Sequence, residues 1–290
     1  MPRTSGHLLL AFAALFWAGN ALLGRAFHEE IPPVALAFSR WSLATVLLLP
    51  FAWKHMVRDR RSLLEAWPVV LVLSVLGIST FNTILYHAAH TTTATNIALI
   101  QTMMPATIVG LELLLFAQGV STRKLLGVLL AMGGGATVVL RGNPGAVLEL
   151  DLVSGDVWMT GAMVIYALYS VLLRRRPQVH PLSLLGATFV VGTLLLIPVF
   201  LWEWSVQGSP RWSSGLVAAV LYVAVFPSIL AYFFWNRGVE EVGAGAAGLY
   251  VCLVPVFTAV LAVPILGEAL HAFHLAGFLL IAGGIVLFRR

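Results

Sequence analysis

Ten stretches of this chain stay apolar for about the length a bilayer requires: 7–25, 33–53, 67–87, 93–116, 125–140, 155–173, 182–202, 214–235, 243–266 and 272–288. A helix needs roughly 20 such residues to cross the hydrocarbon layer. In lipid every backbone N–H and C=O must be satisfied inside the segment or in a closed barrel. Runs this long and this uniformly apolar therefore read as helices. Charged residues make up 10% of the chain and hydrophobic ones 60%, whereas a soluble domain usually carries about 25% charged residues. The runs and their short connections use almost the whole chain. The expected fold is an all-α integral membrane protein with ten transmembrane helices, and any function lies within the membrane.

The net charge of +5 and pI of 9.8 suggest nucleic acid, but the distribution of charge argues against it. Arg3, Lys54, Arg58, Arg60, Arg61, Arg123, Lys124, Arg174, Arg175, Arg176, Arg237, Arg289 and Arg290 fall in alternate connections. The opposite set holds Arg25, Arg141 and Arg211, and Arg40 lies inside the second run. This asymmetry orients membrane helices, with the basic loops inside. It predicts a multi-pass protein of a bacterial-type inner membrane with both termini cytoplasmic, whose partners are the lipid bilayer and a small-molecule substrate and not nucleic acid. Cys252 is the only cysteine, so no internal disulfide exists. The first run has some features of a signal peptide, but its recurrence later in the chain favours a retained helix.

That recurrence extends along the chain. LFWAGNALLGR (15–25) has a cousin in IYALYSVLLR (165–174). A shift of 150 residues lays Pro105 on Pro255, Gln118 on Glu268, Gly127 on Gly277 and Gly133-Gly134 on Gly283-Gly284. A shift of 149 lays Trp17-Ala18 on Tyr166-Ala167, Ser79 on Ser228 and Tyr86-His87 on Trp235-Asn236. Each half, 1–145 and 150–290, then carries five runs. An odd number sends the second copy through the membrane in the opposite sense. The prediction is two inverted five-helix repeats in one membrane domain, a layout of secondary transporters whose substrate site lies near the midplane.

Several of these residues resemble a known family. The WAGN turn at 17–20, Arg40 early in the second helix, Pro105 and Pro255, and LGEALHAFHLAG with a following Gly-Gly are similar to the EamA-type family of the drug/metabolite transporter superfamily. The resemblance covers essentially the full length and rests on the two-repeat layout rather than on one sharp motif. It implies a secondary transporter working by alternating access. A narrower likeness is to YddG-type exporters of aromatic amino acids and methyl viologen. One departure is Gln118, which stands where the second repeat has the family's usual Glu268.

Helical periodicity sorts the candidate solute-facing residues. The first helix groups Trp17 and Asn20, the third Ser79, Asn82 and Tyr86 with His87 adjacent, the sixth Trp158, Tyr166 and Tyr169, and the eighth Ser228, Tyr232 and Trp235. Helix 4 offers Gln101 and Pro105 on a small face opposite Gly245, Gly248, Cys252 and Pro255 of helix 9. Aromatic surface with a few hydrogen-bonding groups is what a small-molecule pocket uses, and polar side chains within a bilayer usually face the bundle interior. Competing expectations exist. Tryptophans near helix ends serve as interface anchors, the reading given to Trp53, Trp67, Trp202, Trp204 and Trp212. Ser79 and Ser228 can bond their own helix backbone. Pro105 and Pro255 each free a carbonyl one turn earlier and give a bending point, which suggests gating. The glycine clusters at 133–135 and 283–284 suit tight helix packing, between the repeats or against a second protomer, and the chain can act as a monomer.

Arg40 is a possible anion contact, with helix anchoring as its alternative, and no obvious partner in helix 1 or 3. The superfamily resemblance implies a buried Glu in the first helix for a small multidrug pump and several buried Lys or Arg for a phosphate carrier. Helix 1 here has no acidic residue, and only Arg40 qualifies as a buried base. A neutral, zwitterionic or flat aromatic solute fits, with amino acids, aromatic ones included, as the expected class. With few carboxylates in the membrane, facilitated efflux fits better than proton coupling, and Glu112 is the remaining titratable suspect. Glu268, His271 and His274 are spaced three apart, which drifts around a helix, so no metal is expected, and no cofactor. Neither HExxH nor GxSxG occurs, so the chain does not read as an enzyme. Another drug/metabolite exporter, of multidrug or nucleotide-sugar/phosphate type, or a channel or scaffold, is the alternative.

Overall fold

The computed structural model describes residues 4–26, 30–266 and 269–289. Its long helices are α1 (Thr4–Ala26), α2 (Pro33–Arg58), α3 (Trp67–Thr91), α4 (Ala94–Phe116), α5 (Thr122–Val139), α6 (Ser154–Leu172), α7 (Pro181–Gln207), α8 (Ser214–Val242), α9 (Ala244–Val251 and Leu253–Leu266) and α10 (Ala272–Arg289). Among the described residues there is no strand, and nine helices, α2 to α10, are long and apolar enough to cross a membrane. The tenth expected span corresponds to α1, which packs on α8 and α9; side chains near its C-terminal end, Arg25 among them, lie outside the described residues.

Local chemistry sets the helix starts. Proline occupies the first turn of α2 and α7, where a missing N–H costs nothing. The hydroxyls of Thr93, Ser121 and Ser213 accept from the N–H groups of Asn96, Lys124 and Leu216 at the starts of α4, α5 and α8, as N-caps do.

Four helices are irregular. A π-helical turn interrupts α3 at Ser74–Thr80 and α8 at Ala224–Leu230, 150 residues further on. In α8 the cause is Pro227, which cannot donate to the carbonyl of Val223 and crowds it. Ser228 Oγ donates to that carbonyl instead, at 2.6 Å. In α3 the matching position is Gly77, and Ser74 Oγ donates to the Val70 carbonyl at 2.7 Å. The α-helical ladder of α4 breaks at Thr102–Met103 and that of α9 at Cys252, in each case within a turn before Pro105 or Pro255.

Two antiparallel pairs frame the bundle. In the first, α5 crosses α10 with almost no side chain between the backbones. A Cβ on Gly134 would lie 2.6 Å from the Gly277 carbonyl, and one on Gly127 would lie 2.8 Å from that of Gly284. Gly127 thus opposes Gly284 and Gly134 opposes Gly277, each residue meeting the counterpart of the other. In the second pair, α2 and α7 cap each other. Glu203 accepts from the N–H groups of Val34 and Ala35 (3.1 and 2.7 Å) at the start of α2. Asp59, just past α2, accepts from Ser183 Oγ and the His180 N–H (2.7 and 2.8 Å) at the start of α7. A carboxylate at a helix N-terminus is worth about 0.3–1 kcal/mol. The Ser183 and His180 hydrogen bonds hold the Asp59 carboxyl below the usual aspartate range. Its contribution is therefore present at neutral pH and lost as pH falls through that lowered value.

The α5–α10 contact predicts opposite outcomes for adjacent glycines. Gly134→Ala forces a methyl into the Gly277 carbonyl and should lower stability by about 1–3 kcal/mol, the usual cost of overpacking. Gly133→Ala meets nothing within 4 Å and should be neutral or slightly stabilising. Thermal unfolding of the two variants in detergent checks the pair.

Candidate functional site

A cavity of about 910 Å³ runs into the bundle from the end opposite the Arg58, Arg123 and Arg174 loops. Its floor includes Trp17 and Asn20 of α1, Phe81 and Asn82 of α3, Met104 of α4 and Tyr166 of α6. One wall is the first part of α4, with Ala94, Ala98 and Gln101; the facing wall is the second part of α9, with Pro255, Thr258 and Ala262. Arg141, His271 and His274 stand at the mouth. The volume is in the range of small-molecule sites.

Toward the basic end the same two helices meet. The second part of α4 packs on the first part of α9: a Cβ on Gly248 would lie 3.0 Å from Ile108 and 3.2 Å from the Pro105 Cα. The Gly245 N–H donates to Glu112 at 3.3 Å. Tyr250 hydrogen-bonds His7 at 2.7 Å, and Arg174 donates to Gln118 at 3.1 Å. Between the open and the closed ends the two helix breaks touch, with Cys252 Sγ 3.6 Å from the Thr102 carbonyl oxygen.

Aromatic rings build the floor. Trp17 meets Tyr166 edge to face with centroids 5.5 Å apart, and Phe81 lies 4.5 Å from Tyr166. Trp17 Nε1 donates to the Pro227 carbonyl at 3.2 Å. The Tyr166 hydroxyl is buried and has no hydrogen-bond partner among the described residues, which is uncommon for a buried polar atom.

Behind the floor lies Arg40, 0% exposed. Its Nε donates to Ser228 Oγ at 2.5 Å; Nη1 donates to Asn20 Oδ1, Asn82 Oδ1 and Tyr86 OH at 3.1, 2.8 and 2.9 Å; Nη2 donates to the Pro227 carbonyl at 3.0 Å. The expectation that Arg40 lacks partners in α1 and α3 is corrected: Asn20 belongs to α1, and Asn82 and Tyr86 to α3. These partners are neutral, so no opposite charge in α1 or α3 marks them in the sequence. The network continues from Tyr86 OH to Asn20 Oδ1 (2.9 Å), from Asn82 Nδ2 to Tyr232 OH (3.2 Å), and from Tyr232 OH to the Gly77 carbonyl (2.6 Å).

Of the residues singled out from sequence, Trp17, Asn20, Asn82, Gln101, Tyr166 and Pro255 line the cavity. Arg40, Tyr86, Ser228 and Tyr232 form the layer behind it. Tyr169 and Trp235 are buried deeper, where Tyr169 OH donates to Asn236 (2.8 Å) and Trp235 Nε1 to Ser170 (3.2 Å). Ser79 turns away and donates to the Gly192 carbonyl of α7 at 2.9 Å. His87 and Trp158 pack edge to face, 5.3 Å apart, on the exposed surface. Pro105 lies at the packed end, and Trp53, Trp67, Trp202, Trp204 and Trp212 are exposed. Among the described residues no cluster of His, Cys, Asp or Glu has the makings of a metal site, and Glu268 lies outside the described residues. Sequence reasoning missed Phe81, Thr258 and the carbonyl of Pro227. The Pro227-Ser228 pair inside an apolar run was the available signal for the last.

Comparison with known proteins gives consistent matches. The model of the EamA-like transporter family matches residues 4–140 and again residues 153–290. An uncharacterized transporter of Archaeoglobus fulgidus is 31% identical over 97% of this chain and 96% of its own length. The uncharacterized transporter YyaM of Bacillus subtilis is 30% identical over 99% and 94%. A solved crystal structure at 20% identity superposes with a TM-score of 0.77 over 98% of this chain and 96% of that one, a likeness of fold.

The floor predicts a contrast between two tyrosines. Tyr166→Phe removes an unpartnered hydroxyl and should leave stability unchanged or raised, because a buried unsatisfied group costs about 1–3 kcal/mol. Tyr232→Phe breaks two hydrogen bonds, strands the Gly77 carbonyl, and should lower stability by a similar amount. Melting temperatures of the purified variants read both.

Proposed function

This chain belongs to the EamA-like transporter family, and on that premise we propose that it exports small metabolites across a bacterial-type inner membrane by alternating access. The expected solutes are amino acids, aromatic ones included, and related flat compounds, as in the YddG-type exporters. The observation that carries this reading is the unequal state of α4 and α9. Their parts nearer the basic loops are packed together, while their other parts stand apart around an aromatic-floored cavity.

An inverted repeat makes sense of the inequality. The recurrence of π-turns and helix breaks 150 residues apart, the reciprocal α5–α10 glycine contact and the doubled family match support two five-helix copies of opposite sense, with α1 as the tenth span. With the basic loops cytoplasmic, the cavity opens outward. Exchanging the roles of the two copies closes the outer parts of α4 and α9 and parts the inner ones. Pro105 and Pro255, beside the two breaks, supply the bending points. In the exchanged state Ala98 takes the place of Gly248, and Thr95 and Ala262 those of Gly245 and Glu112. The Glu112 carboxylate at the start of α9 has no acidic counterpart at the outer end, which favours the outward-open state at rest.

Flux through the purified protein in liposomes should saturate and show competition between solutes; non-saturating conductance overturns the transporter mechanism in favour of a channel. Trp17→Ala and Tyr166→Ala should lower flux several-fold at normal membrane levels. The gating geometry has its own test. In a Thr95→Cys/Ala262→Cys variant on a Cys252→Ser background, a short bifunctional thiol reagent should cross-link the pair and stop transport. Failure of the two thiols to cross-link at any stage of turnover removes the proposed outer gate.

A further inference from the structure

The cavity floor joins a charge to an amide in a way the transporter reading does not use. We propose that this floor is a carboxylate-binding subsite, in which the Asn20 side chain donates to the carboxylate of the solute and Arg40, directly behind it, supplies the counter-charge. The proposal rests on the transporter reading for its purpose, though not for its binding chemistry.

Arg40 is a fully buried cation whose hydrogen-bond partners are two amides, a serine, a tyrosine and a backbone carbonyl. Among the described residues no carboxylate touches it. The carboxylate of Glu203, which caps the first turn of α2 from α7, is committed to the N–H groups of Val34 and Ala35. The five hydrogen bonds replace the hydration of the guanidinium but leave its charge uncancelled, and buried charges are normally paired. In a low-dielectric bundle that charge acts on its surroundings more strongly than it would in water.

The cavity is where the charge can be met. Asn20 and Asn82 line it and touch Arg40. An arginine only donates, so the atoms the amides turn toward it are their oxygens. Asn20 Oδ1 is then committed to Arg40 and to Tyr86, and what Asn20 can offer a solute is its Nδ2 donor, polarised by the cation behind. Tyr166 also lines the floor, while its unpartnered hydroxyl is buried. Trp17 and Phe81 give the apolar remainder of the solute a surface. Direct bidentate contact with Arg40 is not the arrangement, because its donors already face protein oxygens and it does not line the cavity. Charge and contact are divided between two residues.

The test uses the full-length protein in detergent and three matched sets: L-tryptophan, tryptamine and indole-3-propionate; L-phenylalanine, phenethylamine and 3-phenylpropionate; and L-leucine, isoamylamine and 4-methylpentanoate. Ligand-induced thermal stabilisation is titrated for each. Amino acids and acids should bind at least tenfold more tightly than the amines. Asn20→Asp keeps an oxygen on Arg40 and cancels its charge, so it should reverse that order. Should this variant fail to fold, Asn82→Asp cancels the same charge from α3 and carries the same expectation. Amines binding as tightly as their amino acids, stabilisation by none of the carboxylates, or an unchanged order in a folded Asp variant each overturns the subsite. Counterflow in liposomes reads transport separately: carboxylate binding without flux sinks the transporter reading and leaves the subsite standing.

Discussion

Arg40, a cation sealed inside the helix bundle, organises this protein. Arg40 leaves water only because oxygens from three other helices converge on it: Asn20 from α1, Asn82 and Tyr86 from α3, and Ser228 and Pro227 from α8. Each donor must be met where no water can substitute, so the relative depth and rotation of α1, α2, α3 and α8 are tied together. Apolar packing alone gives weak directional information between helices whose surfaces resemble the lipid around them. The arginine supplies that direction at the centre, as the glycine contact of α5 with α10 supplies it at the side.

The irregular helices follow from the same rule that polar groups need partners. The π-turn of α8 releases carbonyls from the regular ladder; Ser228 satisfies that of Val223, while Pro227 presents its own to Arg40 and Trp17. The π-turn of α3 similarly offers the Gly77 carbonyl to Tyr232. Departure from ideal helix is thus the source of the acceptors that hold the centre. A regular α8 would have kept its carbonyls within its own ladder and left Arg40 short of one oxygen.

The membrane class, the helical content and the aromatic character of the floor were legible in the sequence because apolar length and 3.6-residue spacing report on them directly. Placement failed where the helix is not ideal. Ser79 shares a face with Asn82 and Tyr86 only if α3 turns 100° per residue throughout, and Ser79 sits within the π-turn, where the phase slips and its hydroxyl meets α7. His87 and Trp158 fit the periodic pattern yet lie exposed near helix ends, because periodicity names a face and says nothing of depth. The environment of Arg40 was hidden for a different reason. Its partners on the neighbouring α1 and α3 are neutral, and an asparagine carries no opposite charge to mark it as the mate of an arginine.

The touching breaks of α4 and α9 have a consequence for how a solute is handed across. Thr102 and Cys252 stand 150 residues apart in sequence and meet each other; in the proposed pair of inverted copies such a contact lies on the axis that relates them. Points on such an axis stay put when the copies trade shapes in the proposed cycle. Met104, two residues beyond that contact, belongs to the floor, so on this reading a solute held at the floor rests beside a part that does not travel. The same contacts then hold it throughout the proposed stroke, and what moves is the approach on either side.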